Sequence, residues 1–84
     1  MQKYFFHIDY GQPSPDIEGS LLPDLKSAQK AAVVLLGRIL MDEGDVFWDK
    51  PNVVITVEDA GGEVLWTLET VGMASAAVGR VKEA

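Results

Sequence analysis

The chain has 84 residues and a mass of 9.1 kDa, with 13 Asp and Glu against 7 Lys and Arg and a formal charge of −6. A domain this small shields only about 60–65% of the surface that its unfolded form exposes, which allows one shared core and excludes a second. A hydrophobic fraction of 48% excludes a disordered acidic tail, and the lack of cysteine excludes disulfides, thiol nucleophiles, Cys-based zinc sites and iron–sulfur clusters.

The longest apolar run, Ala31 to Leu36, is far below the roughly 20 residues needed to cross a bilayer, so no membrane contact is expected. Tyr4-Phe5-Phe6 is interrupted by His7 and Asp9 and lacks the apolar stretch and cleavage site of a signal peptide, so the default expectation is cytoplasmic. A pI near 4.5 gives a surface field that repels phosphate, which argues against nucleic acid as a partner.

Lys3 to Asp9 reads as a strand because β-favouring aromatics alternate. Tyr4, Phe6 and Ile8 share the face expected in the core, while Lys3, Phe5, His7 and Asp9 share the other. Gly11, Pro13, Pro15 and Asp16 then break any regular ladder and predict a turn or loop. Ser20-Leu21-Leu22 predicts a short second strand pairing back on the first, bounded by Gly19 and Pro23.

Asp24 stands at the predicted N-cap of a helix that begins at about Leu25. Projected at about 100° per residue, Leu25, Ala28, Ala32, Leu36, Ile39 and Leu40 fall on one stripe, flanked by Val33 and Leu35, and this stripe is expected to pack on the sheet. Lys26, Ser27, Lys30 and Arg38 lie opposite, but so do Val34 and Met41, where a solvated helix carries polar groups. Gly44 is the expected end of the helix, and Asp42 and Glu43 oppose the dipole in its last turn.

Asn52 to Glu58 and Glu63 to Thr70 are two β-rich runs around Asp59-Ala60-Gly61-Gly62, the pattern of a hairpin. A two-residue loop at Gly61-Gly62 sets Val57 opposite Trp66 and Ile55 opposite Leu68; a four-residue loop sets Val57 opposite Val64 and Ile55 opposite Trp66. Either keeps Val53, Ile55, Val57, Val64, Trp66 and Leu68 on one face. A three-residue loop mixes the faces unless a bulge corrects them, and the expectation here is an even loop. Val71 to Ala84 is alanine-rich and holds Gly72 and Gly79. Met73, Ala77, Arg80, Val81 and Ala84 give it either a weak amphipathic turn or a frayed tail.

Several of these segments together resemble a known family: Tyr4-Phe5-Phe6-His7, the turn Asp16-Ile17-Glu18-Gly19, the helix start Leu22-Pro23-Asp24-Leu25 with Ala28 and Ala32, and Val57-Glu58-Asp59-Ala60-Gly61-Gly62. That family is a group of small bacterial proteins known only as a domain of unknown function, and the likeness covers about residues 3 to 70. No established activity, cofactor or catalytic residue travels with it. Val46-Phe47-Trp48 departs from the pattern, and the tail beyond Thr70 lies outside it. More distantly, the chain is similar to HicB-type antitoxins, whose small α+β domain masks a toxin and is commonly followed by a DNA-binding region. Only 14 residues follow the hairpin, too few for such a region, so the resemblance implies partner masking alone.

Catalytic and metal motifs do not emerge. His7 shares a face with Asp9 and Lys3, yet neither a nucleophile nor further ligands stand at a recognisable spacing, so a satisfied structural histidine is expected. Asp42, Glu43, Asp45 and Asp49 form the densest acidic cluster but do not match an EF-hand loop and read as solvated acids. Asp16 and Glu18, between Pro15 and Gly19, point to turn chemistry, and Gly61-Gly62 lacks the lysine and following helix of a phosphate loop.

Apolar surface is more informative. Phe47 and Trp48 in a short acidic connection are expected to fold back over the helix end, or else to serve as interface anchors. Phe5, Val54, Thr56, Leu65 and Thr67 line the sheet face away from the predicted core, and one helix cannot cover both faces. The expected molecule is therefore a single α+β domain over residues 1–70, of order β, short β, α, β, β, with one helix packed on an antiparallel sheet and a tail or short helix at 71–84. Its expected role is non-enzymatic protein–protein interaction without a cofactor. The expected partner is a second copy of the chain, by edge pairing or face packing of the sheet with Val34 and Met41 as the rival interface, or another protein bound in a regulatory, antitoxin-like way. The alternative is a small hydrolase or ligand-binding domain using His7 and Asp9.

Overall fold

Aromatic and polar residues alternating from the second position onward build the strand on which the rest assembles. In the computed structural model, which describes residues 1–80, the elements run β1 (Gln2–Asp9), β2 (Pro13–Ser14), β3 (Ser20–Leu22), α1 (Leu25–Asp42), β4 (Asn52–Asp59) and β5 (Val64–Val71). Short 3₁₀ turns occupy Phe47–Asp49 and Ala76–Arg80. All strand pairs are antiparallel, and the five strands form one sheet with α1 packed on one face. The fold is α+β.

Within this sheet β1 pairs β4, with Phe6 opposite Val57 and Ile8 opposite Ile55, and β4 pairs β5. The other edge of β1 is divided. Gln2 to Tyr4 pair with β3 at the expected position, while Ile8 and Asp9 pair with β2. The stretch read from sequence as unpaired thus contributes a two-residue strand; Pro13 has no N–H to donate, which an edge position tolerates.

Asp24 caps α1 as expected, its carboxylate accepting the Ser27 amide at 2.8 Å. Ala28 and Ala32 are fully enclosed against Tyr4, Phe6, Ile55 and Val57, with Ala31, Leu35, Leu36 and Ile39 packed around them. The expected stripe is rotated accordingly. Alanines with no side chain beyond Cβ let the helix approach the sheet along Ala28 and Ala32, and Leu25, Val33 and Leu40 fall outside that set, with Val33 60% exposed. The helix stops at Asp42 with Glu43 as its C-cap, the Glu43 amide donating to the Ile39 carbonyl at 2.8 Å. Gly44 lies beyond that cap and is not among the left-handed glycines, so it does not end the helix in the expected way.

The hairpin corrects the expectation of an even loop. Asp59 donates to the Glu63 carbonyl at 3.0 Å and Gly62 donates to the Asp59 carbonyl at 3.1 Å, closing a loop of Ala60, Gly61 and Gly62. Gly62 adopts φ 82, which a side chain would oppose. The odd loop is offset by a bulge: Glu58 pairs Val64, Val57 pairs Trp66, and Leu65 is the extra residue. From Trp66 onward the pairing is the one a two-residue loop would have given. At the bulge the two faces exchange, so Leu65, expected on the outer face, packs against the core, and Val64, expected in the core, is 55% exposed.

Opposite the helix, the outer face carries Phe5, His7 and Asp9 from β1, Val54, Thr56 and Glu58 from β4, and Val64, Thr67 and Glu69 from β5. Of the C-terminal set, Met73 is exposed and Ala77 stands in the last 3₁₀ turn; Val81 and Ala84 lie outside the described residues. No helix among the described residues is long and apolar enough to cross a membrane. The bulge makes unequal demands on its two apolar residues. Leu65→Ala is expected to lower stability by about 1–2 kcal/mol and Val64→Ala by less than about 0.5 kcal/mol, read from urea unfolding midpoints at constant m.

Candidate functional site

The gap between β2 and β3 leaves the middle of one β1 edge without a strand, and Asp16 fills it. One oxygen of its carboxylate accepts the Phe6 amide at 3.1 Å; the other accepts the Glu18 and Gly19 amides at 3.1 and 2.9 Å. The side chain thus takes the place of a strand carbonyl while closing its own turn. Gly19 completes the turn at φ 73, where a Cβ would stand 3.0 Å from Lys3 and Phe5 side-chain atoms. Partial burial by itself pushes the Asp16 carboxyl up, but the three amides of Gly19, Phe6 and Glu18, with His7 nearby, outweigh it and hold the group below its ordinary value.

His7 joins the same clasp. Its Nδ1 accepts the Asp16 amide at 3.0 Å and its Nε2 faces Glu58 Oε1 at 3.0 Å. The acceptor role assigns the lone pair to Nδ1 and the proton to Nε2 in the neutral ring, so both nitrogens are engaged in holding the loop to the sheet. Asp9, on the same face, is occupied with the Gly11 amide at 3.0 Å. The two residues of the hydrolase alternative therefore have separate partners. Among the described residues, no three His, Asp or Glu side chains converge as a metal site.

The aromatic pair after the helix divides its labour. Phe47 and Trp48 meet edge to face at 5.5 Å. Phe47 is half-buried and, with Ile39, Val53 and Tyr10, lines a cleft of about 350 Å³ at the end of the core, as a residue folded over the helix end would. Trp48 rests against Gly72, where an added Cβ would lie 2.7 Å from the indole, but remains 61% exposed. Gly72 is pinned there by its amide, which donates to the Pro51 carbonyl at 2.9 Å.

The expected interaction residues lie on three separate surfaces. Phe5, Val54 and Thr56 are half-buried on the outer sheet face and Thr67 is exposed, whereas Leu65 has left that face at the bulge. Val34 and Met41 are both exposed on the outward side of α1, and Trp48 stands apart beyond its end. Edge pairing was expected without a strand assigned to it, and the structure supplies the strand: β5 is the last in the sheet order, so its far edge is unpaired among the described residues. Strand order is not visible in a single sequence; eight β-favouring residues with one charge, Glu69, were the available signal.

Comparison with known proteins places the chain in a family. The family described as a domain of unknown function (DUF6894) covers residues 3–72. The chain belongs to that family. No curated protein and no solved structure matches it, so the likeness to HicB-type antitoxins gains no support from either.

The segments by which this DUF6894 domain was recognised have structural work in common. Asp16 to Gly19 form the clasp on β1, Asp24 caps α1, and Gly62 turns the hairpin. Loss of the clasp should be measurable. Asp16→Ala is expected to cost about 1–2 kcal/mol, the lower part of the range for bonds to a charged acceptor because the carboxylate is only part-shielded. Its depressed folded value means that the contribution is complete above the ordinary 3.8 and is lost as pH falls through the lower, folded value. Urea midpoints at about pH 6 and about pH 2.5 should therefore fall less on acidification in Asp16→Asn than in wild type.

Proposed function

We propose that this domain is a non-enzymatic protein–protein interaction module, binding a second copy of itself or another protein. The observation that carries the reading is the contrast between its two sheet edges. An unpaired strand edge presents free main-chain donors and acceptors, and natural proteins blunt such edges with short strands, proline, charge or bulges. The β2/β3 edge is blunted in this manner: fragments of two and three residues, Pro13, and the Asp16 clasp. The β5 edge keeps eight residues without proline or lysine, and beyond the bulge its pairing with β4 is regular from Trp66 to Val71. An extended segment laid along it would gain main-chain hydrogen bonds, with alternate side chains reading the two faces.

The engaged nitrogens of His7 favour binding over acid–base chemistry, and the net charge of −6 favours a protein over nucleic acid. A masking role of the antitoxin kind is the regulatory form of the proposal.

The test is amide hydrogen exchange on the protein alone and in the complex captured from its native host. The outward amides of β5 are expected to exchange rapidly in the free domain and to become protected in the complex. A captured complex that leaves β5 exchange unchanged, or capture of no macromolecule at all, would remove the basis of the proposal.

A further inference from the structure

The outward side of α1 has a composition that the monomer does not account for. Lys26 and Lys30 occupy its first half, and Val33, Val34, Gly37, Leu40 and Met41 follow at spacings of three, four and seven, an apolar stripe on the side away from the sheet. Val33 and Met41 are 60% and 78% exposed, and Leu40 is half-buried without belonging to the core set. Gly37 stands at the centre of the stripe. A glycine inside a helix is unfavourable relative to alanine. At Gly37 no close contact within the chain explains that cost, because an added Cβ would meet nothing within 4 Å.

The charges are uneven: the N-cap Asp24 complements the macrodipole, but the first turn holds Lys26 and no acid, the last holds Asp42 and no base, and Asp45 follows just beyond the cap. Lys26 and Asp42 oppose the macrodipole of an isolated helix. A second helix running the other way reverses that account, because its negative end and carboxylates then lie beside these lysines.

We infer that α1 pairs with α1 of a second copy, antiparallel and two-fold about Gly37, which names the partner in the interaction reading above and rests on it. With the axis at residue 37, Val34 meets the partner copy's residue 40, Val33 meets its residue 41, and Lys30 meets its residue 44, beside Asp45 of that copy. Lys30 stands about 10.5 Å of helix before the axis and the partner copy's helix runs about 7.5 Å past it to Asp42, so each lysine reaches the turn that holds Asp45 and both ends form at once. Gly37 against Gly37 permits close approach, toward the lower end of the about 8–10 Å usual for packed helices. An interface of this kind is isologous, since the same patch serves both subunits.

Sedimentation equilibrium over about 5–500 µM protein tests the pairing. Wild type is expected to dimerise. Gly37→Gln, which places a good helix former in open space, should leave the helix content intact while weakening the dimer at least about tenfold. Lys30→Glu should weaken it similarly, and Lys30→Glu combined with Asp45→Lys should restore it, because the reversed pair forms in the same register. A wild-type monomer throughout the range overturns the α1 pairing while leaving binding at the β5 edge to its own exchange test. A dimer that persists in both single variants also overturns it and transfers self-association to another surface, with the interaction reading intact. Failure of the reversed pair to restore association overturns the antiparallel register.

Discussion

Contact between two alanines and four large side chains sets the terms for the rest of this molecule. Ala28 and Ala32 are enclosed against Tyr4, Phe6, Ile55 and Val57, so α1 approaches the sheet closely and its small residues, rather than its large ones, fill the interface. Dense packing of small against large is a stable solution at this size, because the sheet contributes most of the bulk. It also determines what is left over. A helix that spends alanines on its inner side and carries Val33, Val34 and Met41 elsewhere presents apolar area that no other element among the described residues covers.

The same economy explains the divided edge of β1. A continuous third strand there would require several more residues in extended pairing, yet the chain supplies two short fragments and one carboxylate. Asp16 substitutes for the missing backbone by accepting the Phe6 amide, and the Glu18 and Gly19 amides fix the carboxylate in place from its own turn. His7 and Glu58 extend the support to β4, tying the loop to the sheet through a ring that donates on one side and accepts on the other. Asp16, His7 and Glu58 together finish a sheet edge, where an orphaned amide would otherwise cost about 1–3 kcal/mol if shielded from water.

Much of this architecture was legible because local signals coincided. Alternation placed Tyr4, Phe6 and Ile8 correctly, Asp24 marked the helix start, and Ser20 to Leu22 read as a strand between Gly19 and Pro23. Three features were not legible, each for a physical reason. The bulge at Leu65 is set by Gly62 adopting φ 82 and by the need to return Trp66 and Leu68 to the core, a compromise between loop and face that periodicity alone cannot reveal. The rotation of α1 toward Ala31 and Leu35 follows from close approach at the alanines, whereas a hydropathy stripe weights Val33 and Leu40 more heavily. The Asp16 clasp joins residues ten apart through one side chain, and a sequence shows only that the aspartate belongs to a turn.

Exposed apolar area is common on small proteins and by itself says little, since more than half of an ordinary surface is apolar. What distinguishes this chain is that its uncovered features are specific in kind. One sheet edge is guarded by short fragments, a proline and a carboxylate clasp, while β5 carries only the bulge at Leu65 and the charge of Glu69 and is regular from Trp66 to Val71. On α1, a glycine with empty space around it lies between apolar neighbours, and Lys26 and Asp42, unlike the N-cap Asp24, run against the dipole; each is unfavourable in the isolated domain. The open strand edge, the uncontacted glycine and the two opposing charges, rather than the amount of greasy surface, are the physical ground on which association is proposed.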